Sequence, residues 1–198
     1  TFTATYAGSA FDEELYDGTP GTPFQFIAVY FETAPTSGAN NMVFTPSVSG
    51  AIAGGGISFT GVDQATPHDT IDVATGTSAT PSNATASAID DMVVDFSAQN
   101  QGTNSTPTGT GHVERVDSAD GDNFVSILGG EMPGDTTVTP GWTLTGSNGW
   151  TMACLNLNVA AAAAGQPTMR RWGGVPYMPP GAQSGGVGGG PWGLRKVA

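Results

Sequence analysis

Nowhere in this chain does a helical spacing of apolar residues persist over a useful length. Glycine (30 residues) and proline (14) make up more than a fifth of the 198 residues, and both are poorly tolerated inside helices. Between them lie short runs rich in β-branched and aromatic side chains. The strongest are Phe24–Phe31, Asn41–Thr45, Gly56–Thr60, Met92–Phe96, Phe124–Leu128 and Trp150–Leu157, with weaker candidates at 2–6, 70–73, 83–88, 112–116 and 142–145. Several alternate with period two. In the 150–157 run Trp150, Met152, Cys154 and Asn156 share one face, and Thr151, Ala153, Leu155 and Leu157 the other, as strand geometry requires. Many short strands with turn signals every 8–14 residues predict an all-β fold, an antiparallel β-sandwich of jelly-roll type. The Val159–Ala164 segment, alanine after its first residue, is too short to hold a helix alone and reads as a hinge or a spacer.

Charge divides the chain in two. All 17 acidic residues lie between Asp12 and Asp135, and Arg115 is the one basic residue before position 160, so residues 1–159 sum to −16. Residues 160–198 carry Arg170, Arg171, Arg195 and Lys196 and no acid, a sum of +4. The net charge of −12 opposes general binding to nucleic acid. No run of about 18 apolar residues is present to cross a membrane as a helix, and the opening TFTATYAG has no signal-peptide pattern. A single cysteine, Cys154, excludes an internal disulfide.

Two domains are therefore expected: a β-sandwich over 1–159 and a Gly/Pro-rich basic arm over 160–198. The arm intersperses Arg170, Arg171, Trp172, Tyr177, Met178, Trp192, Arg195 and Lys196 among glycines and prolines. Aromatic and arginine side chains are favoured interface anchors, and these eight residues are the expected partner-binding set. Fully extended, the arm could span on the order of 130 Å, enough to reach a neighbouring subunit.

The segment Ala53-Gly-Gly-Gly-Ile-Ser-Phe-Thr-Gly-Val-Asp-Gln-Ala-Thr-Pro-His-Asp69 resembles the SFTGVDQ-x-TP-x-D signature of β-sandwich domains in bacteriophage structural proteins and some bacterial surface proteins. The order around it is similar to that family's: Thr5-Tyr-Ala-Gly8 for a TYNG-like hairpin, Tyr30–Gly38 for an aromatic strand leading into P-x-S/T-G, Asn41–Thr45 for an NxVVT-like strand and Trp150–Leu157 for the closing strand. The Arg170–Met178 stretch also resembles C-terminal tails of uncharacterised phage virion proteins. The resemblance implies a virion structural protein at the capsid surface, a decoration or cement protein whose partners are copies of itself and other virion proteins such as the major capsid protein. Family members carry one or two strands ahead of the hairpin. Either such residues precede this sequence, or a neighbour fills the edge they would occupy.

No catalytic, cofactor-binding or metal site is expected, and the chain is not read as an enzyme. His68 and His112 are the only histidines, and no GxSxG elbow accompanies them. Cys154 lies in an apolar strand and reads as a buried small hydrophobe. Asp117, Asp120 and Asp122 lack the spacing of a calcium loop, so a solvated turn is favoured over a metal. Gly54-Gly-Gly56 has no following GK[ST] and reads as close backbone packing. Gln99–Gly111 reads as an exposed polar loop. Trp142 and Trp150 are read as core residues; as sugar-stacking platforms they would support the alternative function, a carbohydrate-binding adhesin on a tail fibre or cell surface with a glycan partner.

Overall fold

The computed structural model describes residues 2–17, 26–100, 105–122 and 124–161. The basic arm, with Arg170, Arg171, Trp172, Tyr177, Met178, Trp192, Arg195 and Lys196, lies outside the described residues apart from its first two positions. Within the described residues there is no helix. The strands are β1 (Phe2–Tyr6), β2 (Ser9–Ala10), β3 (Glu13–Asp17), β4 (Ala28–Phe31), β5 (Met42–Pro46), β6 (Asp72–Ser78), β7 (Thr85–Ala86), β8 (Met92–Asn100), β9 (Ser105–Thr108), β10 (Val113–Ala119), β11 (Val125–Pro133), β12 (Thr137–Val138), β13 (Gly141–Leu144) and β14 (Asn148–Leu157).

The largest sheet has five strands in the order β10-β11-β8-β14-β6, every neighbouring pair antiparallel. A three-stranded sheet, β2-β1-β5, and three two-stranded ribbons, β3-β4, β7-β12 and β9-β13, complete the described pairing. The described residues are all-β and antiparallel, as the sequence pattern predicts.

The five-stranded sheet is covered on both faces. All ten residues of β14 are buried. Trp150, Met152 and Cys154 point to one side, where they pack with Leu128 of β11 and with Trp142 and Leu144 of β13. Val93, Met132 and Val138 extend that layer. On the other side Ala153 joins Ala98, Val116 and Ile127 beneath Ile27 and Val29, and Leu155 and Leu157 join Val94 beneath Leu15, Phe31, Ile57, Phe59 and Val62. The alternation in the 150–157 run thus sorts its residues between two apolar layers. Each fully buried large side chain contributes roughly 1.5–3 kcal/mol.

Several segments differ from expectation. Residues 56–60 form no strand; they run irregularly, with Ile57 and Phe59 packed onto the sheet as cover. The polar stretch 99–111 is not wholly loop, because Ser105–Thr108 pairs as β9 with β13. The strands β2, β3 and β12 lie in stretches too polar or too short to stand out in the sequence.

Candidate interaction site

The Thr5-Tyr-Ala-Gly8 segment forms a two-residue hairpin. Tyr6 pairs with Ser9, and Ala7 (φ 50°) and Gly8 (φ 84°) both take positive φ, the arrangement that matches strand twist. From this hairpin and its neighbours a row of rings emerges. Phe2 stacks 4.8 Å from Phe26, Tyr6 lies 6.3 Å from Phe11, Phe11 5.6 Å from Tyr30 and Tyr30 6.3 Å from Phe44. Two hydroxyls tie the rings to main chain: Tyr30 Oη donates to Phe2 O at 3.1 Å and Tyr6 Oη to Thr36 O at 2.9 Å.

Between these rings and the large sheet lies a cavity of about 770 Å³. Its floor includes Val94, Phe96, Ala98 and Leu155, and its flank is the 51–62 segment. Glu32 is the one charged residue among the described lining residues, and its carboxylate accepts the Asp12 N–H at 2.9 Å. Such a cavity offers shape and apolar area to an occupant. Besides Glu32, the titratable side chains among the described lining residues are Tyr6 and Tyr30, whose hydroxyls are engaged with main-chain carbonyls.

The glycine run is used for close packing. A methyl group at Gly55 would overlap the Val116 side chain, and one at Gly56 would lie 2.8 Å from Met42 Cε. The irregular 51–62 strip can therefore lie close against the sheet where a substituted chain could not.

The remainder of the 53–69 motif locks the end of β14. Val62 bridges Val159 and His68 bridges Leu157. Asp63 N–H donates to Asn158 O at 2.9 Å, and Asp69 N–H to Asn156 O at 3.1 Å. Asp63 Oδ1 accepts the N–H groups of Ala65 and Thr66, an Asx-type turn; the Thr66 and Ala65 donors hold its carboxyl below the usual range. The Asn156 amide, almost wholly buried, sits within 3.0 Å of carboxylate oxygens of Asp69 and Asp91 and of Asn158 Oδ1, while its own oxygen accepts from Ser87 Oγ at 2.6 Å. His68 joins this end: Nε2 lies 3.0 Å from Glu13 Oε2, Nδ1 lies 3.0 Å from Asp69 O, and the ring sits edge-on to Phe31.

On the opposite face of the sheet, Asp95 and the His112 side chain are fully buried. His112 Nε2 lies 2.8 Å from Asp95 Oδ2, and Nδ1 lies 3.0 Å from Thr108 O. Thr108 O can only accept, so Nδ1 carries a proton, and in an ionic pair with Asp95 Nε2 donates as well. Trp142 Nε1 donates to Asp95 Oδ1 at 2.7 Å, which completes the carboxylate's partners. Burial pushes the His112 imidazole down, but hydrogen bonding and charge from Asp95, with the Thr108 and Gly141 carbonyls, outweigh it and hold its pKa above the ordinary value. Gly130 makes room for the pair: a methyl there would overlap His112 Nε2. The sequence carries one signal of this cluster, a carboxylate inside the apolar run Met92-Val-Val-Asp-Phe96.

Trp142 is wholly buried and Trp150 nearly so; both sit in the core with Leu128 and Met152, and neither ring is offered to a sugar. Cys154 is buried, and burial first, then the charge of Asp95, pushes its thiol far up. Asp120 closes the β10–β11 turn, its N–H donating to Val125 O and its Oδ1 accepting Val125 N–H at 2.8 Å. No group of three or more metal-ligating side chains occurs among the described residues.

Compared with known protein families, with characterised proteins and with solved structures, the chain matches none.

Proposed function

We propose that this chain is a structural protein of a bacteriophage virion, a capsid decoration or cement protein. In this reading the body is a jelly-roll β-sandwich that sits on the shell surface as a homo-oligomer. The arm over 160–198 reaches neighbouring copies or the major capsid protein, with Trp172, Tyr177, Met178 and Trp192 as anchors and Arg170, Arg171, Arg195 and Lys196 meeting acidic surface. The body is non-enzymatic and holds no cofactor.

The observation that carries this reading is the use made of the 53–69 motif. The residues that resemble phage sandwich domains are the ones that lay the glycine strip against Val116 and pin the end of β14. They serve the fold and leave its surface to make contacts. The −16 charge of residues 1–159 suits a particle component that must stay soluble and avoid the nucleic acid inside. Arms that engage neighbours would combine many weak contacts through effective concentration.

Deletion of residues 166–198 tests the arm. The proposal expects reduced assembly or shell docking with the body still folded. Unchanged oligomerisation and docking would contradict it.

A further inference from the structure

The three-stranded sheet ends in strand β5. In the order β2-β1-β5, among the described residues β5 is bonded on one side, to β1. The Ala7 N–H donates to Asn41 O at 3.1 Å, which fixes the phase of the ladder. Asn41, Val43 and Thr45 turn their peptide groups toward β1, and Met42 and Phe44 turn theirs outward. Val43 is 50% exposed and Met42 44%.

Ends of sheets are ordinarily protected by charge, by bulges or by shortness. Strand β10, at one end of the large sheet, has exposed Glu114 and Arg115 and a register break between Glu114 and Val116. At the other end β6 is partly covered, since Asn83 Nδ2 donates to Asp72 O at 2.9 Å. Strand β2 has only two residues. Strand β5 has neither charge nor bulge, and Pro46 restricts pairing at its last residue alone. The sequences of β1, β2 and β5 contain no charged residue. Between Glu32 and Asp63 the chain carries no charge for 30 residues, 33–62. On a body of net −16, this is where two copies can meet without bringing like charges together.

We propose that β5 is a self-association edge: β5 of a second copy adds antiparallel across a two-fold axis, with Phe44 opposite Phe44 and Met42 opposite Pro46. In that register the Phe44 N–H groups donate to each other's carbonyls, and each Met42 N–H donates to a Pro46 carbonyl. The two small sheets become one of six strands, an isologous contact. The Phe44 rings lie together and make the aromatic rows of the two copies continuous. This deepens the reading of the chain as a self-associating shell component and rests on the homo-oligomeric part of it.

The register makes the test specific. Val43 of one copy faces Thr45 of the other in a close, non-hydrogen-bonded pair, with Cα atoms about 4.5 Å apart, a spacing a disulfide spans. The full chain carrying Val43→Cys and Thr45→Cys together should give covalent dimers on mild oxidation, and each single variant at least tenfold less. Val43→Lys should shift the light-scattering mass of the full chain to that of a monomer, and Val43→Thr should leave it unchanged. A parent chain that is monomeric at millimolar concentration, equal cross-linking by the single variants, or an oligomer indifferent to Val43→Lys would overturn the proposal. A Val43→Lys monomer that still coats capsids would leave the virion role standing, whereas a cross-linked dimer that coats no capsid would remove that role and leave the edge.

Discussion

His112 Nε2 lies 2.8 Å from one carboxylate oxygen of Asp95, and Trp142 Nε1 lies 2.7 Å from the other. Strands β8 and β13 and the residue just before β10 are thereby tied at a fully buried cluster. Removing one partner leaves the other charge buried and alone, which costs about 3–5 kcal/mol. His112→Ala and Asp95→Ala should each lose stability of that order in urea unfolding. Trp142→Phe, which keeps the ring and removes one charge-assisted donor, should lose about 1.5–3 kcal/mol.

The same pair sets a pH dependence. The folded pKa of His112 lies above its unfolded value near 6.5. Its contribution is therefore complete below the unfolded value and is lost as pH rises through the folded one. Urea midpoints measured from pH 5 to 9 should show an alkaline decline in the parent that His112→Gln lacks. An identical pH profile in the two proteins would contradict the ionic pair.

Gly55 and Gly130 differ from Gly146 in what surrounds them. A methyl group would meet Val116 at the first and His112 at the second, and nothing within 4 Å at the third. Gly55→Ala and Gly130→Ala should each cost about 1–3 kcal/mol through overpacking, while Gly146→Ala should stay within about 0.5 kcal/mol of the parent. Thermal unfolding of the three variants side by side gives the comparison.

Ala7 holds φ 50° in the β1–β2 turn, a region that costs an L-residue with a Cβ roughly 1–2 kcal/mol. Ala7→Gly and Ala7→Asn should both stabilise the protein, by up to about 1 kcal/mol, because both residues suit the first position of this turn. A lowered unfolding midpoint for Ala7→Asn would be the contrary result.

Cys154 is enclosed by the core, and its thiol is pushed up by burial and by Asp95. Thiolate is the reactive form. A thiol reagent at pH 8 should label the native protein at least a hundredfold more slowly than the urea-unfolded chain. Comparable rates would place the thiol at the surface.

The β14 pattern could be read directly because period two and apolar content coincide there: Trp150, Met152 and Cys154 go to one layer, and Ala153, Leu155 and Leu157 to the other. Trp142 and Trp150 were legible as core for the same reason. Strand β9 was not, because Ser105–Thr108 contains no large apolar residue and owes its conformation to pairing with β13. The 56–60 run has the look of a strand, yet the bare backbone of Gly54–Gly56 lets it press onto Val116 and Met42 as cover. The Asp95–His112–Trp142 cluster joins residues 17 and 47 positions apart, a pairing only the sheet order creates. The cavity likewise depends on how the aromatic residues of β1, β4 and β5 are brought over the large sheet, which local pattern does not encode.

We propose that this chain coats a phage shell. Cryo-electron microscopy of the full chain bound to purified capsids that lack it tests this most directly. Ordered, symmetry-related density on the outer shell, into which the all-β body fits with copies in contact, is the expected result. Capsids that remain bare at saturating protein, or density confined to a tail fibre, would contradict it.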